Sequence, residues 1–366
     1  MKVLIINCIL STAEQGVIKR KESIGDCMIS NFARGFIELG HSITLLASEE
    51  FRPTGEDKDL PFEVVYFPSR LPQVFKPSLL PWPKGMRRWL KAHAADYDLV
   101  IASESFQIPS LIAARVCPSR LLIWQEMDRH QRLLFKLPSK FWYNIVVPMF
   151  MGRVTIVPRS LPAQRFTRRY SRHVSDTIVD HGTDAHTLYP CDEVDKAFVV
   201  VSQLVERKQV DRIIKKFARL VAKEAYQDYR LDIIGDGDQA EELKQLTASL
   251  GIEGNVVFHG FLGHQQLAVP LRRSLALLVD TASDLNMVTI AEAVTSGTPV
   301  VTNTKPSTAS FIAANGLGVA RDDWDENDLI KVIDGYDQMH AACVKEGREL
   351  TNVACARKMI AIAGSE

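Results

Sequence analysis

The chain predicts an α/β protein of two doubly wound parallel sheets, on three observations. Its 366 residues are too many for one ordinary core. Short apolar runs alternate with stretches whose apolar residues recur at helical spacing. That alternation opens at Lys2, halts in a turn-rich acidic stretch near Tyr189-Pro190, and opens again at Ala197. The expected domains are therefore 1–189 and 190–345, followed by a C-terminal helix within 346–366.

In the first half, Lys2 to Ile6 suits a buried parallel strand. A polar loop from Asn7 to about Ser23 leads into a helix with Cys27, Ile29, Phe32, Ala33, Phe36, Ile37 and Leu39 on one face, closed by Gly40. His41 to Leu46 is the next strand. Residues 61–95 break regularity with four prolines and mix Phe75, Trp82 and Trp89 with Arg70, Lys76, Lys84, Arg87, Arg88 and Lys91. Such a mixture suits an anionic membrane surface or an anionic acceptor; a solvated loop is the alternative. Strands follow at Tyr97–Ile101 and Leu121–Trp124. The second of these ends in a polar cluster, Gln125 to His130, at a strand end where α/β chemistry collects. Glu126, Asp128 and His130 are its candidate residues.

The second half reads as strand Ala197–Val201, a loop with Arg207-Lys208, a helix, strand Arg230–Ile234, Gly235-Asp-Gly237-Asp-Gln-Ala240, a helix closed by Gly251, and strand Val256–Phe258. Then comes the stretch Ser274 to Asn303: a strand, the polar loop Asp280–Asn286, a short helix, and a further strand. Asp284 and Glu292 flank the N-terminus of that helix, whose first amide protons make it an anion site. Carboxylates beside an anion site suit a ligand carrying both phosphate and hydroxyls; a simple helix cap at Asp284 is the alternative. Glu346 to Ile362 reads as a helix.

Composition narrows the classes. Apolar residues make 46% and charged ones 24%, ordinary for a globular protein. Net charge is zero, yet residues 1–190 carry +7 and the remainder −7, which suggests an anionic partner for the first half. Met1-Lys2 runs straight into Val3–Ile6, so no signal peptide is expected, and no apolar run approaches a membrane span. Six scattered cysteines form no CxxC or zinc spacing and suit thiols in a reducing cytosol. Zinc protease, P-loop and serine-hydrolase motifs do not occur. Gly235-x-Gly237-x-x-Ala240 matches the loose dinucleotide fingerprint, but the next strand ends in Phe258-His259 rather than the ribose-binding acid. Asp236-Gly-Asp238, between two glycines, reads as turn chemistry and is assigned no metal.

Taken together, these pieces resemble the family 4, or group 1, glycosyltransferases. Ser283 to Val301 resembles the family's E-x7-E segment, and Ser202-Gln203-Leu204…Lys208-Gln209 its phosphate loop. Ile233–Gly237, Val257–Gly260, His181–Asp184…Tyr189-Pro190 and Gly40-His41 resemble further markers, so the likeness covers about the whole chain. Departures are Asp284 for the first acid, Gln203 for the phosphate-loop arginine, Ser23-Ile24 for paired glycines, and Gln125-Glu126 where the family often has histidine.

The resemblance implies a GT-B fold, two facing Rossmann-like domains with a cleft between them, the first binding acceptor and the second donor. The C-terminal helix is expected to pack back towards the first domain. It implies a retaining hexosyltransferase-type enzyme, using a nucleotide-sugar donor and a glycan or lipid-linked acceptor in bacterial cell-surface polysaccharide synthesis. A non-catalytic partner subunit and a sugar-nucleotide epimerase of the same fold are the alternatives. Lys208 and Arg207 would neutralise the departing diphosphate, Asp284 would hold a sugar hydroxyl, and Glu292 the ribose. Gln203, Gly260, Phe261, Leu262, Asn286, Met287, Val288 and Thr289 complete the expected donor site. Neither cofactor, metal nor nucleic acid is expected. The expected location is cytoplasmic, or peripheral on the inner face of the membrane.

Overall fold

A computed structural model of the chain describes residues 1–11, 18, 20, 22–25, 27–55, 60–131, 133–285 and 287–364. It divides into two compact units, Met1–Gly182 with Asn352–Glu366, and Thr183–Thr351.

The first unit is built on six parallel strands: β1 (Lys2–Ile6), β2 (Ser42–Ser48), β3 (Glu63–Phe67), β4 (Leu99–Ser103), β5 (Leu121–Gln125) and β6 (Thr155–Pro158), in the order β3-β2-β1-β4-β5-β6. Strand side chains alternate faces, so continuous apolar runs bury both sides of the sheet. Val3 and Ile5 pack with α1 (Met28–Glu38) and with Cys355, Ala356 and Met359 of α13 (Asn352–Gly364). Leu4 and Ile6 pack on the other face with α2 (Met86–His93), α3 (Ile108–Val116) and the helical stretch Leu137–Met151. That stretch begins as α4 (Leu137–Phe141) and continues as a π-helix from Trp142 to Met151; α5 (Leu161–Thr167) follows β6. Gly35 lets α1 and α13 approach closely, since a Cβ there would lie 2.2 Å from the Asn352 carbonyl oxygen.

Six further parallel strands form the second unit: β7 (Ala197–Val201), β8 (Arg230–Ile234), β9 (Val256–Gly260), β10 (Ala276–Val279), β11 (Val300–Thr302) and β12 (Gly318–Ala320). Their order is β12-β11-β10-β7-β8-β9. Phe198 and Val200 pack on one face with α6 (Val210–Val221), α7 (Ala240–Ser249) and α11 (Glu326–Asp334). Val199 packs on the other with α8 (His264–Arg273), α9 (Val288–Thr295), α10 (Ala309–Asn315) and α12 (Tyr336–Gly347).

The boundaries differ from those read in the sequence. The units part at Gly182/Thr183, before the Tyr189-Pro190 turn, because Thr183 is tied into the second unit. Its N–H donates to the Leu350 carbonyl at 3.0 Å, its hydroxyl lies 2.8 Å from that of Thr295, and it bridges to Thr351. The same pairing interrupts the expected tail helix. Arg348–Leu350 forms a short 3-10 turn, Thr351 is extended, and the chain re-enters the first unit only at Asn352.

Candidate functional site

In the second sheet the winding reverses between β7 and β10, since β8 and β9 extend one side of β7 and β10 to β12 the other. The loops leaving β7 and β10 diverge there, and ligands of open α/β sheets bind in such crevices beyond the strands' carboxyl ends. Val201, Ser202, Lys208, Asp280 and Met287 line a small hollow at this point.

Both loops are laced together through backbone and charge. The Ala282 N–H donates to the Arg207 carbonyl at 2.9 Å. Arg207 Nη1 donates to the Ser283 carbonyl at 3.0 Å and to Asp284 Oδ2 at 2.9 Å. Lys208 Nζ donates to the same Asp284 oxygen at 2.7 Å, and the Thr281 hydroxyl lies 3.1 Å from it. Lys208 and Asp284 are largely buried side chains at 12% and 17% exposure, whereas Arg207 stands half in solvent. Beneath them Asp280, 2% exposed, is taken by Lys216 Nζ at 2.6 Å and Asn303 Nδ2 at 2.8 Å. Two cations therefore face one carboxylate at the mouth, while the deeper acid has its own partners.

Lys208 is aimed by an unusual backbone. It ends a 3-10 turn (Glu206–Lys208), and Gln209 follows in the left-handed region at φ +46°, ψ +38° before α6 begins. A non-glycine residue there carries strain of the kind that gathers at functional sites.

Met287 caps α9, with Val288 and Thr289 in its first turn. The Thr289 hydroxyl is buried and has no hydrogen-bond partner among the described residues. Glu292 follows on the same helix at 3% exposure. Asn286 lies outside the described residues. After β9, Gly260 adopts φ +67° and its carbonyl accepts the Gly235 N–H at 2.8 Å. Phe261 beyond it is 82% exposed, and Leu262 packs against the α8–α9 side of the core. Gln203 is exposed at the other lip.

The glycine pattern after β8 has a packing explanation. A Cβ on Gly235 would lie 1.8 Å from the Ser202 carbonyl oxygen, and one on Gly237 would lie 2.2 Å from that of Leu204. Leu204 N–H donates to the Asp236 carbonyl, while the Asp236 carboxylate accepts the Gly237 N–H at 2.8 Å. These residues brace the 202–209 loop.

The first sheet reverses between β1 and β4, and the residue immediately after β4 is Glu104, which sequence reasoning missed. Glu104 has φ +66°. Its carboxylate accepts the Glu126 N–H at 2.6 Å, the Met127 N–H at 3.3 Å and Gln125 Nε2 at 2.9 Å. Desolvation pushes it up to about 7 against the opposing pull of Arg159, with the Glu126 charge adding to the rise. The available signal was an acid directly at a strand's carboxyl end.

The three acceptor-side candidates do not stay together. Glu126 accepts from Arg159 Nη1 at 3.1 Å and lies 3.8 Å from His181 Nε2, whose Nδ1 is 2.7 Å from Asp180. Arg159 is buried, stacked 3.6 Å over the Trp124 ring. Asp128 is paired with its neighbour Arg129. His130 turns into an aromatic cluster of Tyr143, Phe166 and Tyr170, its Nδ1 3.1 Å from Ser139 Oγ and its Nε2 3.0 Å from the Tyr170 hydroxyl. Burial, with Lys140, Lys136 and Arg169 nearby, holds its imidazole below the usual range. His130 is a packing hub, and the charged group beside Glu126 is Arg159.

Residues 189–348 match the family model for glycosyl transferases group 1. Alpha-monoglucosyldiacylglycerol synthase of Streptococcus pneumoniae is 24% identical over 139 residues, which is 38% of this chain and 31% of that protein's length. Among solved structures, the lipopolysaccharide outer core galactosyltransferase WaaB superposes with TM-score 0.66 at 16% identity, over 100% of this chain and 99% of its own. Anabaena Alr3699/HepE in complex with UDP gives 0.68 at 15% identity, over 100% of both chains. At such identity the solved structures speak for the fold, and the fold is GT-B, with two Rossmann-like domains. The family match falls within the second unit.

Proposed function

We propose that this chain, whose second unit holds the group 1 glycosyltransferase match, moves a sugar from a nucleotide-sugar donor to a glycan or lipid-linked acceptor with retention of configuration. The observation that carries the reading is the convergence of Arg207 and Lys208 on Asp284 at the sheet's switch point, next to the N-terminus of α9. Two fixed cations beside helix amides suit a departing diphosphate, because preorganised charge acts where negative charge develops. Glu292 is assigned the ribose hydroxyls, backbone near Phe261-Leu262 the base, and Met287, Val288 and Thr289 the phosphate side of the helix. In this reading Asp284 first holds the cations in place and then shares them with the donor, keeping its other contacts for the sugar.

In chemical terms, the bond from the anomeric carbon to the phosphate oxygen breaks as the acceptor oxygen closes on the same face. The acceptor's proton passes to the departing diphosphate, whose charge Lys208 and Arg207 offset. No step is assigned to a metal. Hexosyl specificity, a family 4 placement and a role in cell-surface polysaccharide belong to this proposal. A lipid-linked acceptor is favoured by the relative whose name is a diacylglycerol glycoside synthase. With such an acceptor the protein would sit at the inner face of the membrane, and residues 70–91 are one candidate contact.

Uridine diphosphate is the first probe for a thermal-shift screen, since a structural relative is known with it bound. With a sugar donor of the nucleotide so selected, Lys208→Ala should raise the barrier to sugar transfer by on the order of 2–4 kcal/mol at saturating donor. Turnover close to that of the unsubstituted chain would sink the assignment.

A further inference from the structure

We propose that the outer face of the helical stretch Leu137–Met151 docks in the plane of an anionic lipid bilayer. This stretch carries large apolar side chains on both sides, with Lys140 and Asn144 exposed beside the outer ones. Its inner side buries Tyr143, Val146, Val147 and Met151 in the core of the first unit. Its outer side exposes Leu137 at 65%, Phe141 at 59%, Ile145 at 44% and Met149 at 67%, a ridge at intervals of four residues, with Phe135 just before it at 91%. A contiguous exposed apolar ridge rimmed by polar residues marks an interaction surface. At fifteen residues it is too short to cross, since a span takes about 20. No helix among the described residues is long and apolar enough to do so. An apolar ridge with basic neighbours suits a helix lying along the interface.

Charge says which surface it meets. From Arg129 to Arg172 the sequence has ten Lys and Arg and no Asp or Glu. Lys136 and Lys140 are exposed on the ridge itself. His130 ties the basic segment after α5 to the ridge, reaching Ser139 of α4 with one ring nitrogen and Tyr170 with the other, so that Lys136, Lys140 and Arg169 all surround it. An apolar ridge among cations fits acyl chains below acidic headgroups. A second copy of the same face would bring like charges together, which disfavours a dimer through it. By contrast, Trp82 and Trp89 of residues 70–91 are packed against Phe75 and Phe67, and only Leu71 and Val74 stand out there among large apolar side chains.

The inference goes beyond sugar transfer, and its test uses neither donor nor acceptor, so either reading can fail alone. The full chain is sedimented with phosphatidylcholine vesicles, with and without about a third of phosphatidylglycerol, at low and high salt. Binding is expected only with the acidic lipid and should weaken with salt. Phe141→Ser with Met149→Ser should cut the partition constant at least tenfold with the thermal midpoint unchanged, because both side chains are already exposed. Arg87→Ala with Arg88→Ala should cut it less. Absence of wild-type binding, or equal binding by the serine variant, would overturn the proposal. So would loss of binding through Arg87 and Arg88 alone, or a wild-type dimer in light scattering that the serine variant abolishes.

Discussion

Lys208 Nζ lies 2.7 Å from Asp284 Oδ2, and both side chains are mostly withdrawn from water. A pair so placed is costly to break, because removing one partner leaves the other's charge without compensation. Here the carboxylate also holds Arg207, so a single acid keeps two cations from repelling each other. Sequence alone suggested a sugar ligand at position 284; the geometry adds an electrostatic duty in the resting state.

Asp284→Asn separates the two duties. Removing the negative charge should destabilise the free protein, on the order of the 3–5 kcal/mol seen when buried pairs lose a member, discounted for the exposure of Arg207. It should also leave the cations open to a diphosphate. The thermal shift produced by uridine diphosphate should therefore be larger in the asparagine variant than in the original chain. An equal or smaller shift would show that Asp284 does not compete with the diphosphate for Lys208 and Arg207.

The strands and the order of loops were legible because parallel strands buried on both faces read as unbroken apolar runs, as Val3–Ile6 and Ala276–Val279 do. Markers at strand ends brought Arg207, Lys208 and Asp284 to one edge, and the fold brings them into contact. Glu104 was not legible, since a single acid after a strand looks like any loop residue until the neighbouring strand supplies the amides of Glu126 and Met127. The surroundings of His130 were not legible either. Its sequence neighbours are polar, whereas in space it meets the rings of Tyr143, Phe166 and Tyr170, with Ser139 and basic side chains beside it. The tail helix failed locally, because the interruption at Thr351 depends on pairing with Thr183, far away in sequence.

Glu104 should make stability depend on pH. Desolvation raises its folded-state value from the ordinary 4.5 to about 7, so the folded protein holds the proton more tightly than the unfolded chain. The stability contributed by this group is full below about 4.5 and is lost as pH rises towards 7. The loss is on the order of 2–3 kcal/mol, reduced by the part of the side chain that water reaches. Denaturant unfolding between pH 4.5 and 8 should show this decline, and Glu104→Gln, which remains neutral throughout, should flatten it. The same slope in both proteins would place the titration elsewhere.

Gln209 offers a test of how the 202–209 loop is held. Its φ of +46° and ψ of +38° place a residue with a Cβ in the left-handed region, at the point where the chain turns from Lys208 into α6. Such a residue costs roughly 1–2 kcal/mol that glycine does not incur, while glycine gives back part of the gain through greater freedom in the unfolded chain. Gln209→Gly should therefore raise unfolding stability by about 0.5–1 kcal/mol. If the strained turn is what aims Lys208 at the crevice, the same variant should weaken uridine diphosphate binding, because a freer turn no longer fixes the ammonium. Greater stability with unchanged binding would show that packing against Asp284 is sufficient to aim Lys208. Lower stability would mean that the glutamine side chain makes a contact worth more than the strain.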